Sequence, residues 1–416
     1  MKKTKEITYN TIGDFASLFF QWLIILLIPK VHSFNDAGIF TIAISITSIL
    51  YIISSMSMWN HQVSDHYQHF TPKDYAGLRI ITMIFGYVLL IPISILFEYS
   101  LNQILAIIAY LSYRNVMNFA NIYAASLQIE SKLDYVGKCT FCEGVVSFSS
   151  FLLAYYITDN LVVSIAVMAI FGGGTYFYCL LYGFRKYVPG EVRRKPLIKS
   201  HIKILMIIGC QVMFASLVPT IINALPKLFL QNMYGNTLTG IYGTISAPII
   251  VIPTLITALF APFVVYFSNL AKTGNFRKFQ RSFTKCIGAV LLFGLLVYLV
   301  ALLLQRPIFQ IIYGHEIDEY IQYFAPLIIA IVFYSIGTIS STALITKNQW
   351  NYSVIAGAIS FIFSVIISYF LTVHSGFNGA TYALVYSYLI YAICYTLAAC
   401  LIPLTKNNYQ KFDFIE

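Results

Sequence analysis

Charged side chains are scarce in this chain: they make up 10% of 416 residues, and only 16 are Asp or Glu. Ordinary soluble domains carry roughly 25%. With a mean hydropathy of +0.76, the composition excludes a soluble globular protein and specifies an integral membrane protein. The motifs of common chemistry are missing as well. There is no G-x-x-x-x-G-K-[ST], hence no built-in ATPase, and no H-E-x-x-H or G-x-S-x-G. Gly172, Gly173 and Gly174 have neither a lysine nor a strand beside them, so they read as a site of close helix packing. Of the seven cysteines, Cys139 and Cys142 form a single C-x-x-C. Without a second pair this points to small residues in a membrane helix rather than to zinc or redox chemistry. No metal or other cofactor is expected.

What is present is a succession of apolar runs. About 20 mainly apolar residues cross the roughly 30 Å of hydrocarbon. Twelve such spans are predicted, near 10–29, 36–56, 76–97, 101–127, 136–157, 160–183, 204–226, 237–268, 286–304, 320–345, 350–372 and 378–403. The first resembles a signal sequence behind Lys2, Lys3 and Lys5, but Asp14 interrupts it and no A-x-A site follows, so an uncleaved span is expected. No soluble domain is expected on either side. The gap at Arg185–Lys203 gathers Arg185, Lys186, Arg193, Arg194, Lys195, Lys199 and Lys203. It divides the chain into an N-terminal lobe 1–183, a basic connector 184–203 and a C-terminal lobe 204–416 with a short tail.

With both termini cytoplasmic, all but four of the 26 Lys and Arg fall in cytoplasmic segments, as the positive-inside rule requires. The four are Lys30, Lys227 and Arg306 outside, and Arg114 within a span. The net charge of +10 therefore meets anionic lipid headgroups, and nucleic-acid binding is not expected.

The halves read as a parallel six-plus-six repeat. Phe15-Ala16-Ser17-Leu18, Pro29-Lys30 and Gly38-Ile39-Phe40 recur in order as Phe214-Ala215-Ser216-Leu217, Pro226-Lys227 and Gly240-Ile241-Tyr242. Polar side chains at membrane depth are costly and face an interior or a cavity. In span 1, Asn10, Asp14, Ser17 and Gln21 share one helix face. In span 7, Ser216, Thr220, Asn223 and Lys227 repeat that spacing. Span 4 carries Tyr110, Arg114, Asn118, Asn121 and Gln128 as one stripe. Arg114 lies roughly 18 Å deep, too far to snorkel outward. Two readings stand: a lock onto Asp14, Glu130 or Glu143, or a cation offered to an anionic substrate, for which guanidinium suits phosphate.

Lys30 and Lys227 are expected just past the outer ends of spans 1 and 7 as interface anchors, and Arg79 at the cytoplasmic opening of span 3, where it could meet a headgroup. His61, Asp65, His66 and His69 read as a solvated loop. Pro219 and Pro226 in span 7, with Pro248, Pro253 and Pro262 in span 8, mark candidate bending elements.

The stretch PKLFLQNMYGNTLTGIYGTISAPIIVIPTLITALFAPFVVYFSNL from Pro226 to Leu270, the basic AKTGNFRKFQRSFTK after it, and Ile311-Ile312-Tyr313-Gly314 resemble the polysaccharide exporters of the multidrug/oligosaccharidyl-lipid/polysaccharide (MOP) superfamily, and among them the Wzx-type O-antigen flippases. The resemblance implies an all-α protein of two six-helix lobes in a V, related by a pseudo-two-fold. It implies a bacterial inner-membrane flippase that carries an undecaprenyl-diphosphate-linked oligosaccharide from the inner to the outer leaflet by alternating access, for O-antigen or capsule. A polysaccharide polymerase and a chain-length regulator are the further partners of such a route, and the missing ATPase leaves H+ or Na+ as coupling ion. The candidate cavity residues are Arg114, Asn118, Asn121, Asp14, Gln21, Asn223, Lys227, Lys30 and Arg79, with Arg114 foremost. No catalytic residue is expected. Two alternatives remain: a drug/cation antiporter of the same superfamily, which would want embedded carboxylates where Asp14 stands alone, and a membrane-embedded polymerase or glycosyltransferase, for which Glu316, Asp318 and Glu319 offer only a short outer loop.

Overall fold

The computed structural model describes residues 2–250, 252, 253, 256, 267, 270, 276–347 and 349–402. Among them the long elements are all helices. α1 is Lys2–Val31, α2 Phe34–Ser55, α3 Pro72–Leu96, α4 Leu101–Ile129, α5 Leu133–Thr158 and α6 Leu161–Tyr187. A continuous helical stretch from Lys199 to Ser246 breaks at Gly235, whose φ of 84° is not helical, giving α7 (199–234) and α8 (from 236). α9 is Phe276–Tyr313 and α10 Phe324–Thr346. The stretch Trp350–Leu401 breaks at Gly376 (φ 53°) into α11 (350–375) and α12 (377–401).

Nine of the described helical stretches are long and apolar enough to cross a membrane. Of the two that break at glycine, Trp350–Leu401 supplies two spanning lengths, α11 and α12, and α4, 29 residues long, is kept off that count only by its polar stripe. Eleven spanning lengths of helix therefore lie among the described residues, at eleven of the predicted places, and of the predicted span 8 the described helix runs only from 236 to 246.

Local chemistry sets the ends. Ser33 caps α2, and Thr71 and Ser100 open α3 and α4 with reciprocal capping boxes to Asp74 and Gln103, satisfying donors that a helix start leaves orphaned. α3 begins four residues earlier than predicted because that box and Pro72 favour a start there. α9 runs past its apolar core at both ends, until Gly314, at φ 65°, stops it. α7 continues eight residues past Pro226, since nothing between Lys227 and Tyr234 interrupts it. Lys227 consequently lies inside a helix, half-buried, and not beyond its end. Pro248 falls in a 3-10 turn, Ala247–Ile250. Most of the remainder of the predicted span 8, with Pro262, lies outside the described residues.

The chain forms two compact units. Met1–Leu217 with Gly235–Gly243 make one, and Val218–Tyr234 with Thr244–Glu416 the other. In the first, α1 and α5 pack backbone to backbone: a Cβ on Gly13 would overlap the Gly137 carbonyl, and one on Gly144 would touch Ser17. Such small-residue contacts replace the hydrophobic drive that lipid does not supply. In the same unit α8 crosses α2. A Cβ on Gly38 would overlap the Asn236 carbonyl, and one on Gly240 the Phe34 carbonyl. Each glycine thus touches the residue four before the other. In the second unit α10 packs on α11 and α12, with Gly337 flat against the Tyr391 ring.

Candidate functional site

The polar stripes of α1 and α4 meet in the first unit. A cavity of about 440 Å³ lies between them. Its wall combines Asn10 and Asp14 from α1, Tyr51 from α2, Arg114, Asn121 and Gln128 from α4, and Tyr176 from α6. A narrower extension of about 30 Å³ runs past Arg114 toward Gln21, Tyr110, Glu143 and Ser147. Arg114 and Met117 border both spaces.

Most polar groups here already have partners. Gln21 donates to the Tyr110 hydroxyl at 2.7 Å. The Tyr176 hydroxyl donates to Asn121 Oδ1 at 2.9 Å, and Asn121 Nδ2 to the Tyr51 hydroxyl at 3.3 Å. Asn10 Nδ2 donates to Asp14 at 2.8 Å. Glu143 is fully buried, and its oxygens accept from Ser17 at 2.9 Å, from Ser147 at 2.8 Å and from Tyr113. Three hydroxyls thus replace the water that this carboxyl has given up.

Arg114 differs. Its guanidinium carbon stands 4.4 Å from the centre of the Tyr51 ring, a cation–π contact, and it makes no ion pair or hydrogen bond with any described residue. The predicted lock onto Asp14, Glu130 or Glu143 is therefore not formed. Its donors are left to the two spaces it borders.

The structure brings Asp14, Gln21, Arg114 and Asn121 together. Asn118 does not join them. At about 100° per residue it sits roughly 60° around α4 from Asn121, fully buried, with neither side-chain polar atom bonded. Its carbonyl accepts from Arg79 Nη1. Arg79 is thereby corrected too: α3 starts at Pro72, so Arg79 lies two turns in and buried rather than at a cytoplasmic opening. Lys30 is exposed in the last turn of α1, away from the cavity. Asn223 and Lys227 belong to the second unit and bond to each other at 2.8 Å. The cluster around His61 is partly ordered by contacts: His61 Nδ1 bonds the Tyr75 hydroxyl at 2.8 Å, and Asp65 accepts from the Phe70 amide at 3.1 Å. Sequence reasoning missed Tyr51, Tyr113 and Tyr176. With 32 tyrosines in the chain, no local signal separates these three from the rest.

No family model matches the chain. It is similar to a capsular polysaccharide biosynthesis protein, CapF of Staphylococcus aureus, 20% identical over 396 residues that cover 94% of this chain and 98% of the relative. Among solved structures, the lipid II flippase MurJ in an inward closed conformation matches with a TM-score of 0.73 at 14% identity, over 94% of this chain and 87% of that one. An inward-facing multidrug resistance transporter of the MATE family, in the MOP superfamily, matches with a TM-score of 0.65 at 13% identity, over 96% and 97%. The chain is a multi-pass membrane protein with the fold of the MOP superfamily. Proteins of this fold found by the comparison are transporters and flippases rather than enzymes.

Proposed function

We propose that this protein is a flippase for a polysaccharide precursor, an undecaprenyl-diphosphate-linked oligosaccharide, moved from the inner to the outer leaflet by alternating exposure of the Arg114 cavity. The observation that carries the reading is the unpaired guanidinium of Arg114 beside a cavity lined by amides and tyrosines. A diphosphate and its sugars cannot enter hydrocarbon bare. Arg114 supplies charge and two parallel donors for a phosphoryl group, and Asn10, Asn121 and Gln128 supply amide groups for sugar hydroxyls, while the lipid tail stays in the bilayer. The similarity to CapF favours a capsule over an O-antigen precursor. The termini are taken as cytoplasmic on the charge distribution, in a bacterial inner membrane. The lobes 1–183 and 204–416 joined by the connector remain the domain reading. A proton or sodium gradient drives transfer, and a polymerase and chain-length regulator take up the product.

The test is a chromosomal Arg114→Ala strain. Surface polysaccharide is expected to vanish, by at least about tenfold, with the protein still inserted, and Arg114→Lys is expected to restore part of it, since it keeps the charge but not the fork. Normal polysaccharide in the Ala strain would sink the reading. The antiporter alternative draws on the MATE-like fold and on Asp14 in the same cavity. It predicts efflux of cationic drugs that depends on Asp14, against the repulsion of Arg114.

A further inference from the structure

The connector between α6 and α7 is pinned as a strap on the first turns of α3. Asp74 Oδ1 accepts from the Ile198 amide at 2.9 Å, and Asp74 Oδ2 meets His201 Nδ1 at 3.0 Å. Leu197 and Ile202 lie over Gly77, where a Cβ would stand 2.7 Å from Leu197 Cδ1 and 2.9 Å from Ile202 Cδ1. Phe70 closes the joint with its ring 5.2 Å from that of His201. The strap's depth is thereby fixed at the end of a spanning helix, where headgroups lie.

At that level the strap is basic and partly greasy. Arg194, Lys195, Lys199 and Lys203 are exposed and form no ion pair with a described residue, and Arg185 and Lys186 extend the same surface from the last turn of α6. Glu191 is the sole acidic residue between Leu180 and Lys203. Leu197 and Ile198, between the lysines, are each 41% exposed. Tyr182 is exposed on the same end of α6.

We propose that this strap is a docking strip for the anionic phospholipid headgroups of the adjoining leaflet. The cations bind phosphate, and Leu197 and Ile198 reach the acyl boundary. Opposite charge alone would attract lipid loosely. A strap held at headgroup depth by Asp74 presents its charges without having to be ordered first. The inference rests on the fold and not on what the cavity carries.

The test uses the full chain in detergent, titrated calorimetrically with dioctanoyl phosphatidylglycerol or dioctanoyl phosphatidylcholine, in an Arg114→Ala background so that the cavity contributes nothing. Phosphatidylglycerol is expected to bind more tightly, and R194Q/K195Q/K199Q to weaken it at least about fivefold, since each cation near a lipid surface is worth about that factor. The matched triple R277Q/R281Q/K285Q, at exposed positions of α9, removes the same charge elsewhere and should leave most of the affinity. An unchanged affinity in the connector triple, or equal losses in both triples, would overturn the proposal. So would inorganic phosphate competing as strongly as the lipid, since it would make the strap a site for free phosphate.

Discussion

A guanidinium without an ion pair or hydrogen bond inside a membrane protein is desolvated at a cost, and at Arg114 the charge of Glu143, across the narrow space both line, offsets part of it. Arg114 is legible in the sequence, because a cation in the middle of an apolar run has few readings. That it bonds no described carboxylate, with Glu143 acting on it only through space, is not, since Asp14, Glu130 and Glu143 all lie at spacings compatible with a pair. Glu143 is instead held by the hydroxyls of Ser17, Tyr113 and Ser147, and such partners leave no pattern in sequence. A second buried cation behaves differently. Lys347, just past the end of α10, is 1% exposed and donates to the carbonyls of Ala399 at 2.6 Å and Ile402 at 3.0 Å, with the Phe279 ring 4.8 Å away. Burial pushes its ammonium from 10.5 down to about 8. Between those values the unfolded chain holds more protons than the folded one, so stability rises with pH across that window, and below pH 8 the full cost, about 3 kcal/mol, is present. The thermal midpoint of the purified protein should therefore climb from pH 7.5 to 9.5 relative to that of Lys347→Met. Parallel curves for the two would contradict this.

Elements were read well where apolar length decides them. The spans among the described residues follow from apolar length, whereas the capping boxes at Thr71 and Ser100 and the stops at Gly235, Gly314 and Gly376 are local features that the structure adds. Faces were read less well. Asn118 stands one i, i+4 step from Arg114, yet that step turns about 40° around the helix, to the side opposite Asn121 and Gln128, and carries it out of the cavity. The crossing of α2 and α8 is the element-scale feature most sensitive to mutation. Gly38 and Gly240 each face a backbone carbonyl rather than a flexible side chain, so neither neighbour can give way. Gly240→Val should lower stability by several kcal/mol and reduce the yield of folded protein, in line with overpacking of a tight contact. Gly174→Ala, which meets nothing within 4 Å, should be tolerated. Equal thermal midpoints for the two variants would show that the crossing is looser than the structure describes.

For the whole molecule, the distribution of Lys and Arg predicts an orientation that fold comparison leaves open. In a cysteine-free background, Lys30→Cys, at the exposed end of α1, should react with an impermeant maleimide added to intact cells. Lys195→Cys, on the connector strap, should react only after permeabilisation. The reverse labelling would invert the topology and with it the direction of proposed transfer. Membrane class, the succession of apolar helices and the presence of a cation within one of them were determined by the sequence alone, because hydropathy and charge bias are local and additive. Which polar residues share a cavity, which cation stays unpaired, and that Gly38 meets Gly240 were decided only by tertiary structure. They depend on helix rotation and on contacts between residues on different helices, from 55 positions apart for Asn121 and Tyr176 to 126 for Ser17 and Glu143, and in a chain with 32 tyrosines and many buried hydroxyls no local pattern encodes those choices.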